Sequence, residues 1–179
     1  MDVSTPTLSY PIGRFDFTQT VAPGQLPELI EQVAAAPANF RAAVGGLTEA
    51  QLDTPYRPGG WTVRQTIHHV ADSHMNSYIR MRMALTESEP AIRPYDQAAW
   101  AELADSRTAP LEASLQLIEN LHLRWVLLLQ TMASPDFARA FRHPELGLVR
   151  LDTNLALYAW HGRHHCAHIT GLRQRNGWE

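Results

Sequence analysis

Thr62-Val63-Arg64-Gln65-Thr66-Ile67-His68-His69-Val70-Ala71-Asp72-Ser73-His74, continuing through Tyr78, Met81 and Leu85 to Glu87, is the stretch that decides the fold. Thr62 and Gln65 stand three apart, the capping-box spacing that starts a helix. Val63, Ile67, Val70, Tyr78, Met81 and Leu85 then fall on one helical face, which predicts a long amphipathic helix reaching about Glu87. Working outward, a helix is expected from Leu26 to about Val44, with Pro27 in its first turn and Gly45-Gly46 ending it. Pro37 lies inside that pattern and should kink the helix or split it. Thr48 and Gln51 repeat the capping box for one short turn before Pro55. Asp96 caps a short helix through Trp100 and Leu103. A third long helix runs from Pro110 to about Met132, carrying Leu115, Ile118, Leu121, Leu127 and Leu128. Ser134-Pro135 reads as an N-cap followed by proline at the first helical position. Residues 138–152 hold two short runs around a turn, a small hairpin. The fourth long helix spans about Thr153 to Arg175, with Asp152 as its cap and Gly177 beyond its end. Four long helices, with one crossover longer than a tight turn, predict an all-α four-helix bundle with short extra helices.

At 179 residues the chain suits one domain, residues 1–179. Its composition, 45% hydrophobic and 18% charged, fits a globular protein with a sizeable core. A net charge of −3 without a basic stretch argues against nucleic acid as a partner. Every positive charge is arginine, so Schiff-base and P-loop lysine chemistries are excluded. The single cysteine, Cys166, cannot pair internally, which fits a reducing cytoplasm. Asp2, Arg14 and Asp16 with two prolines do not resemble a secretory signal. No apolar run is long enough to span a membrane.

The histidines carry the chemistry. None of the nine precedes residue 68, and seven fall into two clusters: His68, His69 and His74, then His161, His164, His165 and His168. Histidines at i and i+4 share a helix face and can aim their rings at a common ion. The apolar stripe of the last helix is Leu155, Tyr158, Ile169 and Leu172. His161 and His165 border it, His168 lies just beyond, and His164 falls opposite, where solvent is expected. The interior pair is therefore His161/His165. A third ligand must come from another element. His74 lies on the apolar stripe of its helix and reads as a core histidine bonded to a carbonyl. His68 and His69 point about 100° apart, so at most one can face the site, and spacing alone leaves the choice open. His69 shares a polar face with Ser73, Asn76 and Arg80, which suits a cleft wall. Three neutral imidazoles fit zinc, nickel, copper or iron(II) and leave coordination positions open, as catalytic sites do.

Other motifs are weaker. No H-E-x-x-H sequence or nucleophile-elbow serine is present, so zincin and serine-hydrolase readings fail. Cys166 reads as a small buried hydrophobe. Trp61, Trp100, Trp125 and Trp160 read mostly as core anchors. The loop Pro90-Ala-Ile-Arg93-Pro94-Tyr95-Asp96 reads first as solvated, with Arg93 and Tyr95 as candidates for a pocket mouth. Asp72 lies within a turn of His69 but faces partly away, so no general base is assigned.

Several of these stretches together resemble the DinB/YfiT-like superfamily, and within it the YfiT type. They are Leu8 to Arg14, Gln51 to Arg57, Gly59 to Gln65, His68 to Arg80, Pro90 to Asp96 and Tyr158 to Ile169. The two histidine blocks are the most specific. The resemblance implies an up-down-down-up bundle with a metal site on His69, His161 and His165. It also implies a metal-dependent hydrolase with one divalent ion per chain, zinc or nickel, acting on a small molecule as a homodimer. Some relatives in the superfamily are thiol S-transferases that join low-molecular-weight thiols such as bacillithiol to electrophiles, the alternative reading. A non-catalytic metal-binding scaffold is the third. Gly162-Arg163 departs from close relatives and should place a positive charge beside the ligands.

Overall fold

The computed structural model describes residues 7–178; the expectations for Asp2 and Pro6 lie outside them. After a single 3-10 turn at Pro23–Gln25 come α1 (Leu26–Val44), α2 (Glu49–Leu52), α3 (Val63–Thr86), α4 (Gln97–Ala101), α5 (Ala104–Thr108), α6 (Leu111–Thr131) and α7 (Ser134–Phe137). A two-stranded antiparallel hairpin, β1 (Ala140–His143) and β2 (Gly147–Arg150), then leads directly into α8 (Leu151–Asn176).

The four long helices form the bundle, with α1 and α3 each packed against both α6 and α8. Their directions follow from which residues meet. His68, His74 and Met81 of α3 touch Ser114, His122 and Trp125 of α6, so these helices run parallel. Ser73 and Ser77 of α3 meet Tyr158 and Asn154 of α8, so that pair is antiparallel. Val33 and Arg41 of α1 meet His122 and Glu112 of α6, again antiparallel. Ala36 lies by Gly162 and Ala43 by Arg173, so α1 and α8 run parallel. The topology is up-down-down-up. Two parallel neighbours in sequence need a long connection, and residues 87–110, carrying α4 and α5, provide it. Gly162 sits where α1 and α8 approach: a Cβ there would lie 3.3 Å from that of Ala36.

Both capping boxes form as expected. Thr48 and Thr62 accept from the backbone N–H of Gln51 and Gln65, whose side chains return the bond. The buried Arg64 ties α2 to the start of α3 through Asp53, 2.7 Å, and Glu49. That clamp fixes the intervening loop, residues 53–62. The hairpin performs a similar task, since Arg142 exchanges backbone hydrogen bonds with Pro90 and Ile92 and so anchors the crossover.

Three local expectations need correction. α8 begins at Leu151, with Asp152 inside the first turn, where its carboxylate binds Arg150 and the Thr153 N–H. α7 is capped by Ala133 rather than Ser134, and Asp136 accepts from the Ala133 N–H. Pro37 does not split α1, which is helical through it. Proline has no N–H for the carbonyl four residues back, and that carbonyl, Val33 O, instead accepts from His122 Nδ1 at 2.7 Å. A side chain from α6 thus fills the missing rung.

His122 is 2% exposed, and burial pushes its imidazole down to about 4. Above pH 6.5 it is neutral in folded and unfolded chains alike. Between pH 6.5 and about 4 only the unfolded chain takes up its proton, so stability falls with pH across that window, by on the order of 3 kcal/mol. His122→Gln keeps a donor and an acceptor without titrating. Urea denaturation should show the wild-type chain losing more stability than His122→Gln between pH 7 and 4.5; equal losses would contradict it.

Candidate metal centre

The candidate site lies where the first third of α3 faces the middle of α8. His69 comes from α3, and His161 and His165 come from successive turns of α8. The His161 and His165 rings are 4.4 Å apart, and His69 lies 5.5 and 5.0 Å from them. One nitrogen from each converges within 4.8 Å of the others. Trp61, at the end of the α2–α3 loop, covers His69 at 4.6 Å, and Tyr158 flanks His161 at 5.4 Å.

Their chemistry suits a cation. His69 and His165 are buried and His161 half-buried. Burial pushes the His69 imidazole down to about 4 and holds His161 and His165 well below the ordinary histidine range, with their neighbouring imidazoles adding to the effect. Neutral rings carry the lone pairs a transition metal needs. His161 Nε2 and His165 Nε2 lie 3.2 Å apart. Two nitrogens on one tetrahedral zinc ion stand about 3.3–3.4 Å apart, given bonds of about 2.0–2.1 Å, so the pair fits the group.

The site lies where two cavities meet, and His161 and Gln97 line both. The smaller, about 340 Å³, is walled by Tyr10, Tyr56, Arg57, Trp61 and the histidines His69, His164, His165 and His168. The larger, about 750 Å³, is lined by Ser73, Arg80, Tyr95, Asp96, His143 and Glu145 among others. The crossover loop expected to be solvated therefore reaches the site through Pro94, Tyr95 and Asp96, while Arg93 is exposed and offers its carbonyl to Arg80.

The remaining histidines divide cleanly. His68 turns toward α6, with Nδ1 2.7 Å from Ser114 Oγ, so of the adjacent pair only His69 enters the cluster. His74 is fully buried, but among the described residues no carbonyl holds it. Its Nδ1 is 2.7 Å from His122 Nε2, and its Nε2 is 3.0 Å from His161 Nδ1. His164 is 6% exposed, against the expectation of solvent. Between Leu151 and Leu172 only Arg163 and Thr170 of α8 are exposed, because Ser9, Tyr10 and Phe15 lie over the face the bundle leaves free. Tyr10 packs on His164, Phe15 on Trp160, and Ser9 O accepts from His168 Nε2 at 3.3 Å. His164, His165 and His168 form a second group with nitrogens within 4.8 Å, sharing His165 with the first.

Asp72 does not line either cavity, in keeping with its wheel position. Arg163 points outward, donating to Ala159 O beside a separate cavity that also holds Cys166, and puts no charge among the site histidines. Burial pushes the Cys166 thiol up to about 12, as for an inert side chain. Sequence reasoning passed over His122. Its signal was present, since Leu115, Ile118, His122, Trp125 and Leu129 recur at steps of three and four on the buried side of α6.

The DinB superfamily model matches residues 32–169. YfiT from Bacillus subtilis is 50% identical over 98% of this chain and 99% of its own. Its solved structure, described as a probable metal-dependent hydrolase with an unusual four-helix bundle topology, superposes with a TM-score of 0.93, covering 96% of this chain and 99% of the other. A Bacillus cereus (strain 03BB102) relative with the same kind of provisional hydrolase name is 50% identical over 96% of this chain and 98% of its own. TT2238, a four-helix bundle protein, shares the fold at a TM-score of 0.54 and 21% identity over 79% of this chain and 94% of the other. The topology, the histidine blocks and these likenesses agree: the chain belongs to the DinB superfamily.

Proposed function

We propose that the whole chain is one metal-binding domain, a metal-dependent hydrolase that holds one divalent transition ion, zinc or nickel, on His69, His161 and His165. The convergence of three neutral imidazoles from two facing helices, at the meeting of two cavities, carries this reading. When bound, such an ion supplies Lewis acidity, polarising a carbonyl and acidifying water or a thiol. The name borne by YfiT and its kin supports the same reading. His165 belongs to both histidine groups. The first is preferred because its donors come from two helices, whereas His168 is already engaged by Ser9 O and stacked on Tyr56 at 4.0 Å.

The protein's own groups divide the work. Trp61, Ser9 and Tyr10 shield the smaller cavity, and the larger one receives the substrate, a small molecule. Arg80 there supplies positive charge for a substrate anion, while Asp96, Glu145 and His143 line the wall from which a hydrolytic step draws a proton acceptor. One observation favours a second reading. Among the described residues, none of those lining the smaller cavity is a carboxylate, and thiol transfer needs no protein base once the thiol is ionised. Low-molecular-weight thiols are then the cosubstrate. We also infer a cytoplasmic homodimer; among the described residues no helix is long and apolar enough to cross a membrane.

Elemental analysis should find one ion per chain in wild-type and His164→Ala protein and almost none in His161→Ala; a fully loaded His161→Ala would overturn the ligand set. Chelation should lower the melting temperature by roughly 5–10 °C if the ion is present at about a hundred times its dissociation constant. Activity is tested by offering the zinc- and nickel-loaded protein carboxylic esters and amides, and separately an electrophile with and without bacillithiol. Ester or amide cleavage abolished in His161→Ala supports the hydrolase, thiol-dependent consumption of the electrophile supports the transferase, and neither leaves the scaffold.

A further inference from the structure

Resting on that reading of the site, we propose that His74 and His122 are positioning residues that fix the tautomer of His161, so that its Nε2 lone pair faces the site before any ion arrives. The line begins at Pro37. Because proline lacks an N–H, Val33 O is left for another donor, and His122 Nδ1 occupies it at 2.7 Å. A carbonyl can only accept, so His122 Nδ1 carries the hydrogen. A neutral imidazole has one N–H, so His122 Nε2 must accept, and the atom 2.7 Å away, His74 Nδ1, must donate. The same rule passes the constraint on. His74 Nε2 accepts, and His161 Nδ1 donates to it across 3.0 Å. His161 Nε2 is then bare, and it is the atom that faces His165 Nε2 at 3.2 Å.

Neutrality along this line follows from its surroundings. His74 is 0% and His122 2% exposed. The His74 ring is enclosed by Phe40, Trp125 and Tyr158 besides the two imidazoles. Among the described residues no carboxylate is hydrogen-bonded to any of the three rings, and an unpaired imidazolium in such a place is costly. The chain of bonds therefore runs in one direction, from α1 through α6 and α3 to α8. It touches all four long helices. It also imposes Nδ1–H on three rings in a row, whereas free histidine in water favours Nε2–H. Groups that orient a metal-ligating histidine through its other nitrogen typically change metal affinity 10–100-fold when removed.

The test reads tautomers directly. Metal-free protein carrying 15N-labelled histidine, examined by long-range proton–nitrogen correlation at pH 7.5, should show His122, His74 and His161 all protonated at Nδ1. An Nε2–H tautomer at His161 would overturn the proposal. His122→Phe keeps the ring's bulk and severs the line. His161 should then lose its Nδ1–H preference, and zinc affinity, measured by competition with a chromophoric chelator, should fall about 10–100-fold. His122→Gln, whose amide can donate to Val33 O and accept from His74 Nδ1, should restore both. A His122→Phe protein with wild-type tautomer and wild-type affinity would overturn the proposal. Should the wild-type protein take up no zinc, the site reading fails, while the metal-free spectra still decide the direction of the line.

Discussion

Buried imidazoles without countercharge are the constraint around which this bundle is organised. Seven histidines are buried, and His161 is half-buried among them. Among the described residues no carboxylate is hydrogen-bonded to any of these rings, and burial keeps them neutral, with partners in carbonyls, hydroxyls and one another. His68 uses Ser114, His122 uses Val33 O, His168 uses Ser9 O, and His74 uses two imidazoles. One nitrogen from each of His69, His161 and His165 converges on a common centre. The same neutrality that makes the core compatible with burial leaves lone pairs for a cation.

The topology turns that constraint into a site. Because α3 and α8 are antiparallel neighbours, a histidine in the first third of α3 meets two near the middle of α8. The crossover required by the parallel pair α3 and α6 then runs back along α3: Arg142 of the hairpin pins it at Pro90 and Ile92, beside the end of α3, and Tyr95 and Asp96 beyond reach the larger cavity. The loop clamped by Arg64 brings Trp61 onto His69. Packing and chemistry are therefore not separable here. The connections that complete an up-down-down-up bundle also build the walls of its cleft.

Much of this was legible in the chain. Capping boxes and apolar spacing marked the starts of α2 and α3 and the extent of all four long helices, because those signals are local. The i, i+4 pair His161/His165 was equally plain on the helical wheel. The choice of His69 over His68 was not, since two adjacent residues differ only in which neighbour their faces meet, and the family resemblance carried that choice. His164 was misread because a wheel assigns an exposed side by default, and α8 has almost none once residues 7–22 lie across it. That segment has no periodicity to announce its docking. Pro37 leaves its helix undivided for a related reason: its helix-breaking effect is local, while its remedy, His122, sits 85 residues further along.

In the proposed centre three histidines hold an ion whose remaining positions are open. X-ray absorption of the zinc-loaded protein tests it most directly. Three imidazole ligands are expected, with a light-atom partner that is replaced, with a visible change in the spectrum, when acetate or a small thiol is added. Four protein ligands in a complete tetrahedron, unchanged by either addition, would contradict it and leave a structural metal in a bundle without a catalytic centre.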